Sequence, residues 1–120
     1  MAKPNKIFLD NPEEHDFPAA VDYLELIYPR EEALKKVAQL KKAKTVFKKA
    51  KDIFRASGLP LLPKDNIHVR KNLQKFKKKN KLSPILLVRG NEKLIIADGY
   101  HRMCASYYLT EDFEIACRLV

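Results

Sequence analysis

Cysteine is nearly absent from this 120-residue chain; Cys104 and Cys117 are the only two. Two thiols cannot staple a small fold into a disulfide framework. They lack the spacing of a Cys-x-x-Cys pair and have no obvious histidine partners for zinc, so both read as small buried hydrophobes. Long apolar runs are missing as well. None approaches the roughly 18–20 residues that cross a bilayer, and Ile7–Leu9, after the polar opening segment, is too short for a secretory core. These absences point to a cytoplasmic protein without a membrane partner. There is no internal repeat and no Gly/Ser linker, which leaves room for one domain. With 46% apolar and 32% charged residues, the composition is that of a globular chain.

Acidic residues are scarce in one stretch only. Residues 1–32 carry three Lys/Arg and eight Asp/Glu, residues 33–81 carry seventeen and two, and residues 82–120 carry four and five. The overall charge of +9 therefore resides in the middle third. Such a block suits a polyanionic partner, or steers an anionic ligand, or is simply a solvated lysine face. Lysine predominates over arginine there. The stretch holds only Phe47, Phe54 and Phe76 as aromatics, at a spacing that suggests core and not base stacking.

Residues 1–15 read as a loosely ordered arm. Asp16 is placed to cap a helix with Pro18 in its first turn and Ala20, Leu24 and Ile27 on one face; Pro29 ends it. A second helix follows, with Glu31 and Glu32 near its start, Lys41 and Lys42 near its end, and Leu34, Val37 and Ala38 as its apolar face. Residues 44–54 fit a helical period, although Thr45–Phe47 equally opens a strand. Two prolines and a glycine make residues 57–66 a loop. The spacing of Val69, Leu73 and Phe76 predicts a helix from about Ile67. After Ser83-Pro84, the runs Ile85–Arg89 and Lys93–Ala97 flank Gly90-Asn91 as a β-hairpin. Tyr100–Leu109 suits a helix with Met103, Cys104 and Tyr107 inward, and Phe113–Val120 a last strand with Ile115, Cys117 and Leu119 on one face.

The chemistry-bearing unit is strand, then Asp98-Gly99-Tyr100-His101-Arg102, then helix. The first amides of a helix lack intrahelical partners, and its dipole favours anions. Gly99 permits close backbone approach. Arg102 can hold phosphate through two parallel hydrogen bonds, Tyr100 sits in the same turn, and His101 can donate a hydrogen bond or move a proton. Asp98 would repel a bare phosphate, so beside one it implies a Mg2+ contact or a general base; as a purely structural group it would cap the helix. Lys64, Asp65 and His68, in or beside the Pro-rich loop, are candidates for lining the same pocket.

These motifs resemble the ParB/sulfiredoxin superfamily over about residues 44–120. The resemblance lies in Leu82-Ser83-Pro84-Ile85-Leu86-Leu87-Val88, similar to the family's Leu-x-Pro-Ile-Leu-Val approach to a hairpin, and in Gly99-Tyr100-His101-Arg102-Met103-Cys104-Ala105, similar to its Gly-x-x-Arg helix opening. It implies an α+β fold, a small mixed sheet packed with helices, with a strand around Thr45–Ala50 ending at Lys51–Ile53. Residues 1–43 would then be an N-terminal arm and helical extension. His101-Arg102 is similar to the end of the sulfiredoxin motif Gly-Gly-Cys-His-Arg, whose arginine helps hold ATP. Tyr100 stands at the nucleophilic cysteine, so sulfiredoxin chemistry is not expected. Gly99, Arg102 and Ala105 match the motif with which ParB proteins cradle CTP, whereas Tyr100 and Cys104 depart from it. ParB also carries a helix-turn-helix downstream; here the last strand ends at Val120, so centromere recognition is not expected. ADP-dependent serine kinases, a third branch, imply phosphoryl transfer to small molecules. Nuclease assignments in the superfamily find no dense carboxylate cluster here to hold a metal pair.

The sequence therefore predicts a nucleotide- or phosphate-binding domain, a phosphotransferase or NTP hydrolase using Mg2+ with ATP, ADP or CTP, or binding a phosphorylated small molecule. Asp98 and His101 would be catalytic, Gly99, Tyr100, His101 and Arg102 would bind phosphate, and Asp98 would contact the metal. The competing readings are a nucleic-acid-binding module or nuclease using the basic segment, and a non-catalytic interaction module. Oligomeric state is not predicted.

Overall fold

A computed structural model describes residues 7–120. The elements run α1 (Asp16–Leu24), α2 (Arg30–Lys42), β1 (Val46–Lys49), α3 (Ala50–Ser57), α4 (Ile67–Lys77), β2 (Ile85–Arg89), β3 (Leu94–Asp98), α5 (Tyr100–Leu109) and β4 (Glu114–Leu119). The expected α+β class is found, as five helices and one four-stranded mixed sheet of order β1-β4-β2-β3. β4 runs antiparallel to β1 and parallel to β2, and β2 and β3 form the predicted hairpin. No described helix is long and apolar enough to cross a membrane.

Alternation along the hairpin sorts its side chains to two cores, as the two-residue period of a strand requires. Ile85, Leu87 and Ile96 face Ile53 of α3, Val69 of α4 and Met103 of α5. Leu86, Val88 and Ala97 face Phe17, Ala20 and Leu24 of α1 and Val37 and Leu40 of α2. The N-terminal helices thus cover the sheet face that the other three leave open. Both cysteines are free and buried, and burial pushes the Cys117 thiol up to about 11, consistent with their packing role.

Several local expectations are corrected. Of the presumed arm, Met1–Lys6 lie outside the described residues; Phe8 is fully buried, and its strand bridge to Leu82 ties this segment to the chain just before β2. Ile27 is 48% exposed, because α1 stops at Leu24 before its apolar period completes. The buried face of α2 is Ala33, Val37 and Leu40, with Leu34 and Ala38 outward. The phase of that helix is set by its packing on α1 and the sheet, where Ala33 allows close contact. Lys51–Ile53 belong to α3, since Ile53 is drawn into the core as the helix turns under the sheet. Phe54 and Phe76 pack against the core as expected, whereas Phe47 lies on the exposed edge strand β1.

Arg118 joins the layers. It projects from central β4, is 7% exposed, and donates through Nη1 to the carbonyls of Leu40 (3.2 Å) and Lys41 (2.8 Å) in the last turn of α2. Its Nη2 donates to Asn11 Oδ1 at 2.6 Å. Helix-end carbonyls lack intrahelical partners and carry partial negative charge, so a guanidinium there satisfies both. Arg118→Met keeps the apolar stem but removes the donors. It is expected to lower the unfolding free energy by about 2–3 kcal/mol, the scale of charge-assisted hydrogen bonds in a buried setting. Urea denaturation measures this, and a loss below about 0.5 kcal/mol, the ordinary surface range, would show that the network is incidental.

Candidate functional site

The end of β3 is shaped by a bulge. Leu86 pairs with Asp98 but Leu87 pairs with Ile96, so Ala97 is an extra residue on β3. Bulges bend a strand and re-aim the side chains that follow. Gly99 then takes φ 105, in the left-handed region that favours glycine. A β-carbon there would sit 2.4 Å from Ile85 Cγ2. Glycine at this position is thus demanded by packing against β2, in addition to whatever access it gives a ligand. α5 starts at Tyr100, with the Met103 amide donating to the Gly99 carbonyl at 2.9 Å.

Arg102 does not point freely into solvent. Its Nη2 donates to Asp98 Oδ2, four residues back at the end of β3, and its Nη1 donates to the Ser83 carbonyl at 2.8 Å and lies 3.8 Å from Asp16 Oδ2. The Ser83 hydroxyl donates to Asp16 Oδ2 and accepts from the Glu13 amide at 3.1 Å. Asp16, read from sequence as a helix cap, is instead a buried member of this cluster; α1 has no side-chain cap. Asp98 likewise does not cap α5, whose N-cap is Gly99. Burial holds the Asp98 carboxyl above the ordinary carboxylate range, and the charge of Asp16 adds to this while Arg102 opposes it.

A cleft of about 360 Å³ opens over this cluster. Asp98, Gly99, His101 and Arg102 form its base at the start of α5. Glu13 and Asp16 make one wall, and His68, Lys71, Asn72 and Lys75 of α4 make the other. Asn66 begins α4 by accepting from the amides of His68 (3.0 Å) and Val69 (3.2 Å), which fixes where that wall starts. The rings of His68 and His101 stand with centroids 4.8 Å apart. Burial, reinforced by His68, pulls the His101 pKa below its usual value.

Of the residues singled out in the sequence, Asp98, Gly99, His101, Arg102 and His68 meet at this cleft. Tyr100 does not line it: its hydroxyl donates to the Pro60 carbonyl and so ties α5 to the Pro-rich loop. Lys64 lies on the other side of α4, against the Tyr108 ring, and Asp65 is exposed in the loop outside the cleft. Sequence reasoning missed Asp16, Ser83, Lys71 and Lys75 as cleft residues. The two lysines had a signal: with His68 they fall three and seven positions along one helix, hence on one face. Asp16 and Ser83 had none, because their meeting spans 67 residues.

Among the described residues no group of three or more His, Cys, Asp or Glu side chains is arranged to hold a metal ion. Arg102 already supplies the positive charge between Asp98 and Asp16. The expected Mg2+ contact at Asp98 would therefore stand beside a guanidinium, with Asp98 as the carboxylate of the cleft floor.

Comparison with protein-family models, with curated proteins and with solved structures found no match to this chain.

The histidine pair gives a pH prediction. With a folded pKa below the unfolded one, His101 contributes stability that is fully present above the ordinary value of 6.5 and is lost as pH falls through its folded value. An NMR titration should place the His101 midpoint below 6.5. His68→Ala should raise it only part of the way, since burial is the larger cause. A midpoint at or above 6.5 in the native chain would contradict the described packing.

Proposed function

We propose that this protein is a nucleotide- or phosphate-binding domain of the ParB/sulfiredoxin kind, whose ligand places its phosphates in the cleft at the start of α5. One observation carries the reading: the amide-bearing N-terminus of α5, His101, and Lys71 and Lys75 of α4 converge on a single cavity of about 360 Å³, within the size range of small-ligand pockets. Helix N-termini and flanking cations attract phosphate through backbone donors and charge. The role of Arg102 differs from the one the resemblance implies. With both terminal nitrogens engaged, it acts as a positioning residue that orients Asp98 and offsets two carboxylates, and phosphate contact falls to the α5 amides, His101 and the lysines.

Within this reading the protein is a phosphotransferase or NTP hydrolase. Asp98, with its raised pKa, is the group beside the phosphates that can take a proton from an attacking hydroxyl or water. As the oxygen–phosphorus bond forms and the leaving oxygen departs, the α5 amides and the α4 lysines stabilise charge on the transferring group. Mg2+, when bound with the nucleotide, would supply charge neutralisation between phosphate oxygens.

Isothermal titration calorimetry with ATP, ADP and CTP, with and without Mg2+, tests the proposal. Binding of at least one nucleotide is expected. Lys71→Ala should weaken it about tenfold, the equivalent of ~1.4 kcal/mol, with no change in melting temperature. Arg102→Ala leaves Asp98 and Asp16 to repel phosphate and should cost roughly 1.5–3 kcal/mol of binding, the scale of a charged hydrogen bond. If none of the three binds, or if Lys71→Ala leaves affinity untouched, the cleft is not the phosphate site.

A further inference from the structure

We infer that the far side of α4 carries a second, independent anion site, and that it takes the backbone and bases of a single-stranded nucleic acid. Lys64, Arg70 and Lys77 surround a cavity of about 370 Å³ whose remaining lining is Leu73, Gln74 and Tyr108. Three cations and no carboxylate face this cavity. None of the three forms an ion pair among the described residues, a state they share with Lys71 and Lys75 on the other face of α4; what sets them apart is that they line one cavity with an aromatic ring. An uncompensated cluster of one sign is the electrostatic footprint of a polyanion site.

Charge alone would accept any polyanion. The ring beside it narrows the class. Tyr108 is half-buried, and its hydroxyl donates to the Leu62 carbonyl at 2.6 Å, which fixes the ring against the Pro-rich loop. The Lys64 ammonium covers the ring at 5.3 Å from its centroid; Lys64 is exposed, so its side chain can swing to a phosphate and give up that place to a planar base. Bases stack on such a ring, while the phosphodiester backbone follows the cations. Only a strand whose bases are free can do both, because a duplex keeps its bases stacked on one another. α4 separates this cavity from the cleft: Arg70, Gln74 and Lys77 face one way, and His68, Lys71 and Lys75 face the other. Binding here therefore does not depend on what the cleft holds.

Fluorescence anisotropy with a short labelled oligothymidine, over a salt series, tests the inference on the full chain. Binding at low salt is expected, with log affinity falling against log salt at a slope of at least roughly −2, since each neutralised phosphate of a single strand contributes about −0.7. The triple variant Lys64→Ala, Arg70→Ala, Lys77→Ala should lose at least tenfold in affinity. A control that removes equal charge elsewhere, Lys35→Ala, Lys42→Ala, Lys44→Ala, should change it less than about twofold, as surface charge beyond a Debye length is screened. An abasic strand of the same length should bind several-fold more weakly, as should the duplex. Failure to bind at low salt, equal losses in the two triple variants, or equal affinity for the abasic strand or the duplex would overturn the assignment.

Discussion

Two carboxylates held near each other at the end of a sheet repel, and the guanidinium of Arg102 is what permits the arrangement. It contacts Asp98 at the end of β3, the Ser83 carbonyl ahead of β2, and lies beside Asp16 at the start of α1. Four elements thus take their relative positions from one cation on α5. Its removal would strand partly buried negative charge, which costs far more than the intact cluster contributes. The floor of the cleft is accordingly part of the scaffold, and its geometry is fixed before any ligand arrives.

The two walls above that floor are built on different terms. The acidic wall is drawn into the Asp16–Ser83–Arg102 network and is held in place by long-range hydrogen bonds. The α4 wall is made of exposed lysines and a histidine, groups that cost little to place and that exert their charge outward. On the proposed reading, a carboxylate beside a phosphate is chemically coherent on such a plan: cations on α4 would attract the anion, while Asp98 on the floor has a reduced tendency to ionise.

Local signals carried much of the fold in advance. Gly90-Asn91 and the flanking apolar runs marked the hairpin, Gly99 marked the start of α5 at Tyr100, and Val69, Leu73 and Phe76 marked α4. What escaped was set by contacts between distant residues. Neither the burial of Phe8 against the segment before β2 nor the engagement of Asp16 by Ser83 leaves a local pattern. The choice of Ala33 over Leu34 as an inward residue of α2 depends on which neighbour the helix meets. Candidate site residues contiguous in sequence, from Asp98 to Arg102, were legible as a unit, though Tyr100 turns away from the cleft. Lys64 and His68 sit close in sequence but face different cavities, because α4 stands between them.

The sheet order has a consequence for assembly. β4, last to emerge during synthesis, lies between β1 and β2, and β1 has no other strand partner among the described residues. The β2–β3 hairpin can form from neighbours in the chain, but β1 must wait, unpaired, until some seventy residues have followed it. Contacts of such sequence separation slow folding, since a long loop must close before they are gained. All four residues from Val46 to Lys49 are exposed, so burial does not protect that waiting edge, and Lys48 and Lys49 instead guard it by charge, which discourages pairing with another nascent chain.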